Sequence, residues 1–119
     1  ERLRGRHPAA AGVLIYGTGD LGELAVRQLL RSRAGRSRPI GLLDEDPRKR
    51  GLEIHGTPVL GGAAELGALL ASRAVSAVVM ADPELPSERA REIERTCRRY
   101  DVGVLSMPHL LEDALPEIV

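Results

Sequence analysis

The feature that most constrains this chain is the run Gly12-Val13-Leu14-Ile15-Tyr16-Gly17-Thr18-Gly19-Asp20-Leu21-Gly22. Five residues suited to a strand buried on both faces lead straight into G-x-G-x-x-G, and a segment of helix formers follows at once. Strand, glycine turn and helix in that order predict a cradle for a dinucleotide. Gly17 allows the tight turn, Gly19 lets the backbone approach a pyrophosphate, and Gly22 lets the helix pack closely on the sheet. The phosphates then face the helix N-terminus, where free N–H groups and the helix dipole favour an anion. Thr18, Asp20 and Leu21 complete the predicted turn.

The rest of the chain fits this start. Pro39 to Leu43 reads as a second apolar strand. Leu52 to Leu60 holds short extended pieces around His55-Gly56-Thr57-Pro58, Val75 to Ala81 is a β-branched strand, and Val102 to Met107 is a last one. Helices are expected over Asp20 to Ser32, with Leu21, Leu24, Ala25, Gln28 and Leu29 on one face, and over Ala63 to Arg73, with Leu66, Leu69 and Leu70. A further helix is expected over Glu88 to Tyr100, with Ala90, Ile93, Cys97 and Tyr100, and with Ser87 as its cap. Alternating strands and helices predict an α/β fold: one domain of three layers, with a doubly wound parallel sheet of Rossmann-like type. Residues 1–11 read as a linker or frayed lead-in, 12–111 as the domain, and 112–119 as a tail or the start of a continuation. Gly35 to Arg38 reads as a polar break. The absence of an initiator Met at Glu1 suggests a piece of a longer chain.

Ligands of such sheets bind beyond the carboxyl ends of the strands. Those ends are Gly17 to Gly22, Asp44, Ala81-Asp82-Pro83 and Ser106-Met107-Pro108. Asp44 stands twenty-two positions after Gly22, at the end of the second strand. An acidic residue there is placed to accept hydrogen bonds from the adenosine ribose, and it disfavours a 2′-phosphate. NAD is therefore expected ahead of NADP or CoA. The bland alternative is that Asp44 caps the turn at Pro47. Arg48-Lys49-Arg50 could hold an extra phosphate, but a solvated loop or a single helical turn is the commoner fate of such a run.

Composition narrows the partners. Seventeen basic residues balance seventeen acidic ones, and the chain has two Tyr, no Phe and no Trp. Neither a nucleic-acid field nor a base-stacking surface is expected. Cys97 is the single cysteine, which excludes an internal disulfide; its place on a helix suggests a small packing residue. No apolar run reaches the length of a membrane span and no signal peptide is visible, so a cytoplasmic domain is expected.

Groups for acid–base chemistry are sparse. His7, His55 and His109 have no partners at metal-ligand spacing, and Tyr16 reads as a packing residue. Neither tyrosine precedes Lys49, the only lysine, as Tyr-x-x-x-Lys, and no Gly-x-Ser-x-Gly or P-loop occurs. No catalytic residue is assigned.

Three runs taken together resemble one family. Val13-Leu14-Ile15-Tyr16-Gly17-Thr18-Gly19-Asp20, Gly41 through Gly51 (Gly-Leu-Leu-Asp-Glu-Asp-Pro-Arg-Lys-Arg-Gly) and Ile54-His55-Gly56-Thr57-Pro58-Val59-Leu60-Gly61 are similar to the nucleotide-binding, CoA-binding-like domain of bacterial polysaccharide-biosynthesis proteins. The resemblance spans Gly12 to about Leu111. In that family the domain accompanies membrane-anchored nucleotide-sugar 4,6-dehydratases and epimerases, or polyprenol-phosphate sugar-phosphate transferases. The resemblance implies a cytoplasmic NAD-binding domain. Gly17, Thr18, Gly19, Asp20 and Leu21 would surround the pyrophosphate, Asp44 would hold the ribose, and Ala81, Asp82 and Pro83 would lie beside the nucleotide. It also implies a larger parent that carries the catalytic part, with self-association left open. A regulatory sensor of a nucleotide or nucleotide-sugar, attached to a membrane glycosyl-phosphate transferase, is the alternative, with CoA binding a third.

Overall fold

A computed structural model describes residues 12–31 and 37–107. The expected lead-in with His7, the core of the polar break, and everything from Pro108 on, His109 included, lie outside the described residues. The elements are β1 (Gly12–Tyr16), α1 (Asp20–Leu30), β2 (Arg38–Leu43), a 3-10 turn (Pro47–Lys49), β3 (Glu53–Ile54), β4 (Thr57–Gly61), α2 (Ala63–Ser72), β5 (Val75–Met80), α3 (Ser87–Arg99) and β6 (Gly103–Ser106). The sheet runs β3-β4-β2-β1-β5-β6, parallel throughout except for the antiparallel β3–β4 hairpin at one edge. His55 and Gly56, at φ 50 and 84, make the hairpin's two-residue turn. The strand order reverses at β1, so a crevice opens beyond its carboxyl end, between β2 and β5.

The period-two alternation of β1 sends its side chains to two cores. Val13 and Ile15 join Ala25, Val26 and Leu29 of α1 on one face, together with Leu42 and Val79. Leu14 and Tyr16 join Leu66 and Leu70 of α2 and Ile93 and Cys97 of α3 on the other, with Leu43 and Val78. Each large aliphatic side chain so buried contributes about 1.5–3 kcal/mol of transfer free energy, enough for a core without Phe or Trp. Val26 belongs to the buried face of α1, which the expected stripe omitted, whereas Leu21, Leu24 and Gln28 are half-buried. Cys97 is fully buried in the packing role expected of it, and burial pushes its thiol up to about 11.

One local expectation fails. Ser87 is the first residue of α3 rather than its cap; Pro86 holds the cap position, without a side-chain bond. Proline pre-sets the backbone just outside the helix, which moves the start one residue earlier. No helix among the described residues is long and apolar enough to cross a membrane.

Candidate functional site

Three backbone bonds lock the strand ends together at the crevice. The Gly17 N–H donates to the Leu43 carbonyl (2.9 Å), the Ala81 N–H to the Tyr16 carbonyl (2.9 Å) and the Asp44 N–H to the Gly61 carbonyl (2.8 Å). They continue the ladders one residue beyond the strands and fix the positions of Gly17, Asp44 and Ala81. A cavity of about 210 Å³ lies there, lined by Tyr16, Gly17, Thr18, Gly19, Leu43, Asp44, Glu45, Lys49, Ala81, Asp82 and Pro83. Seven of the ten residues expected from sequence line it: Gly17, Thr18, Gly19, Asp44, Ala81, Asp82 and Pro83. Asp20, Leu21 and Gly22 form the first turn of α1 behind it.

The three glycines do different things. Gly17 has φ +124, and a Cβ there would stand 2.7 Å from the Ala81 carbonyl oxygen. A Cβ on Gly22 would run into the Gly17 carbonyl, so this glycine lets helix and turn touch. A Cβ on Gly19 meets no atom within 4 Å, and the residue is extended (φ −83, ψ −152). Its lack of a side chain serves nothing inside the fold. It leaves the backbone open to an external group. No side chain caps α1, so the amides of its first turn point outward without an intrahelical acceptor.

Asp44 is the best-held acid of the rim. Its Oδ1 accepts the Asp46 N–H (2.8 Å); its Oδ2 accepts the Thr18 hydroxyl (2.5 Å) and the Lys49 ammonium (3.4 Å). Burial alone would raise this carboxyl, but the bonds from Thr18, Asp46 and Lys49 outweigh it and hold the group below its usual range. The turn at Pro47 is capped by Asp46, whose Oδ1 accepts the Arg48 N–H (2.9 Å). Asp46, not Asp44, caps the turn, and Asp44 faces the cavity together with Glu45 and Lys49. Arg48 bonds to Asp46 in solvent and holds that carboxyl down to about 2.

The basic run does not behave as one solvated stretch. Arg48 is 89 % exposed and Arg50 pairs with Glu65 at 3.2 Å on the surface. Lys49 instead turns inward, its Nζ 3.2 Å from Thr18 Oγ1. Sequence reading weighed Lys49 only as one member of the basic run and did not single it out; the available signal was Asp46-Pro47, which starts a single turn that carries the chain back beside Asp44. It missed Glu45, whose Oε2 accepts the Tyr16 hydroxyl and the Ala63 N–H (3.0 Å). Burial, then Glu45, raise the Tyr16 hydroxyl well above its ordinary range, so the phenol stays a donor to Glu45. His55 Nε2 lies 3.0 Å from Glu23 Oε2 and ties the hairpin to α1. Ser106 lines a neighbouring groove of about 800 Å³ between α3 and β6, which meets the first cavity at Asp82. Among the described residues no cluster of His, Cys, Asp or Glu is arranged to hold a metal ion.

Comparison with known proteins points the same way. The chain is 32 % identical over 112 residues to the probable polysaccharide biosynthesis protein EpsC of Bacillus subtilis (strain 168), covering 94 % of this chain and 19 % of that protein. It is 29 % identical over 103 residues to the capsular polysaccharide biosynthesis protein CapD of Staphylococcus aureus, covering 86 % and 17 %. The chain therefore spans about a fifth of the length of the curated relatives it matches. No family model matches. Among solved structures, UDP-D-quinovosamine 4-dehydrogenase from Vibrio fischeri superposes with a TM-score of 0.70 at 26 % identity, over 90 % of this chain and 84 % of that one. RSP, a Rex-family repressor solved also with β-NAD+ and operator DNA and with β-NADH, shares the fold at 18 % identity; the NAD+ complex superposes with a TM-score of 0.64 over 91 % of this chain and 54 % of that one. The chain is a Rossmann-like α/β domain, similar over most of its length to a segment of two bacterial polysaccharide biosynthesis proteins.

Proposed function

We propose that this domain binds NAD, in preference to NADP or CoA, and serves a larger polysaccharide-biosynthesis protein that works on a nucleotide-sugar. The observation that carries the reading is one cavity that joins an uncapped helix terminus, a glycine with open space and a held carboxylate. The α1 amides would meet the pyrophosphate, and Asp44 would accept from the ribose hydroxyls. Asp44, Glu45 and Asp82 around the cavity disfavour a further phosphate on that ribose. In this reading the domain holds the cofactor and the parent does the chemistry, from the cytoplasmic side of a membrane. The nucleotide-bound state of a protein with this fold, and the names of EpsC, CapD and the Vibrio fischeri dehydrogenase, support this assignment.

Thermal unfolding with NAD, NADP, CoA and UDP-sugars tests it. A ligand at about 100 times its Kd adds about 2.7 kcal/mol of stability, so NAD should give the largest shift at equal concentration. A larger shift with a UDP-sugar favours the sensor reading. No shift with any of the four at millimolar concentration rejects nucleotide binding.

A further inference from the structure

Four charged side chains line the cavity: Asp44, Glu45 and Asp82 are acidic, and Lys49 is the single cation among them. A diphosphate entering here would meet three carboxylates. The α1 terminus supplies partial charge only. Lys49 supplies a full one, at the junction of the two half-sites: its ammonium touches Thr18 Oγ1 in the glycine turn at 3.2 Å and Asp44 Oδ2 at 3.4 Å. The side chain is 44 % exposed, so it has room to move.

We propose that Lys49 anchors the ligand's diphosphate, and that it reaches it by exchange. Building on the nucleotide reading above, a ribose hydroxyl takes over the acceptor Asp44 Oδ2, and the released ammonium swings along the glycine turn to a phosphate oxygen. In the free protein the ion pair keeps a lone lysine and a lone carboxylate from standing apart in a half-buried crevice. In the complex each member faces the ligand group of opposite polarity. The site then requires both parts of its ligand together: a ribonucleoside with an adjoining diphosphate. A nucleoside alone would break the pair without replacing it.

The test is calorimetric titration of the chain and its Lys49→Ala, Lys49→Gln and Lys49→Arg variants with adenosine, ADP-ribose, NAD and NADP. Melting curves without ligand confirm that each variant folds. Lys49→Ala and Lys49→Gln should weaken ADP-ribose and NAD by about ten- to a hundredfold, the range of a charge-assisted hydrogen bond, and should not weaken adenosine. Lys49→Arg should recover part of the loss, and the salt dependence of NAD affinity should flatten in Lys49→Ala. Equal weakening of adenosine and ADP-ribose would overturn the proposal, because Lys49 would then merely position Asp44. Loss confined to NADP would overturn it in favour of a ribose-phosphate contact, and unchanged affinities would overturn it outright. If the wild-type chain binds none of the four, the nucleotide reading itself fails, an outcome distinct from tight binding that ignores Lys49.

Discussion

Two helices begin at the same rim, and they treat their N-termini in opposite ways. Both α1 and α2 are entered through an extended glycine, Gly19 and Gly62. In α2 the third residue is Glu65, whose Oε1 accepts the Gly62 N–H (2.7 Å), and Glu45 takes the next amide, that of Ala63. In α1 the third residue is Gly22, which has no side chain to fold back, and the following Glu23 reaches away to His55. One terminus is filled by the protein's own carboxylates. The other carries no side-chain cap, which on the proposed reading leaves it for an anion from outside. A helix N-terminus becomes a site when the chain withholds the caps that stability alone would favour, and here the residue at the third position, together with Glu45 reaching in from the loop after β2, separates the two outcomes.

The comparison breaks hardest at Gly22. Gly22→Ala drives a Cβ into the Gly17 carbonyl and should cost about 1–3 kcal/mol as overpacking, read as a lower urea midpoint, with nucleotide binding lost as well. Gly19→Val separates binding from folding. With no atom within 4 Å of a Cβ there, the melting temperature should hold while NAD affinity falls by about a hundredfold, or about 2.7 kcal/mol. A fall in both would mean that Gly19 serves the fold. Glu65→Ala tests the filled terminus: it should lower the melting temperature of the domain slightly and leave NAD affinity unchanged, since opening α2 does not build the rest of a site.

The smallest effect is on pH. Glu65 is held below its ordinary range by the Gly62 amide first and Arg50 after it, and Asp44 is lowered as well. Depressed folded values mean that the unfolded chain binds protons first, so this stability is complete above about pH 5 and is lost as pH falls below about 4. Glu65→Gln should flatten that acid limb of the melting curve, and an unchanged slope would remove Glu65 from it.

The open terminus was legible in the sequence, and the filled one was not. Gly17, Gly19 and Gly22 sit within six residues and Asp44 at a fixed distance beyond them, so local spacing carried the turn and its acid. Helix faces followed from apolar periodicity, with Val26 the notable omission. Glu45, by contrast, reaches the α2 terminus eighteen positions away. Lys49 reaches Thr18 thirty-one positions back in the chain. Such contacts exist only once the sheet has brought β1, β2 and β4 side by side, and a charged run gives no sign of which member will turn inward. Pro86 in place of Ser87 at the head of α3 shows the same limit at short range, where two residues compete for one cap.

Backbone amide NMR during titration with NAD tests the contrast most directly. The account predicts large shifts at Thr18, Gly19, Asp20 and Leu21, with the amides of Ala64 and Glu65 nearly still. Shifts centred on α2 with α1 silent, or no shift in either at saturating NAD, would contradict it.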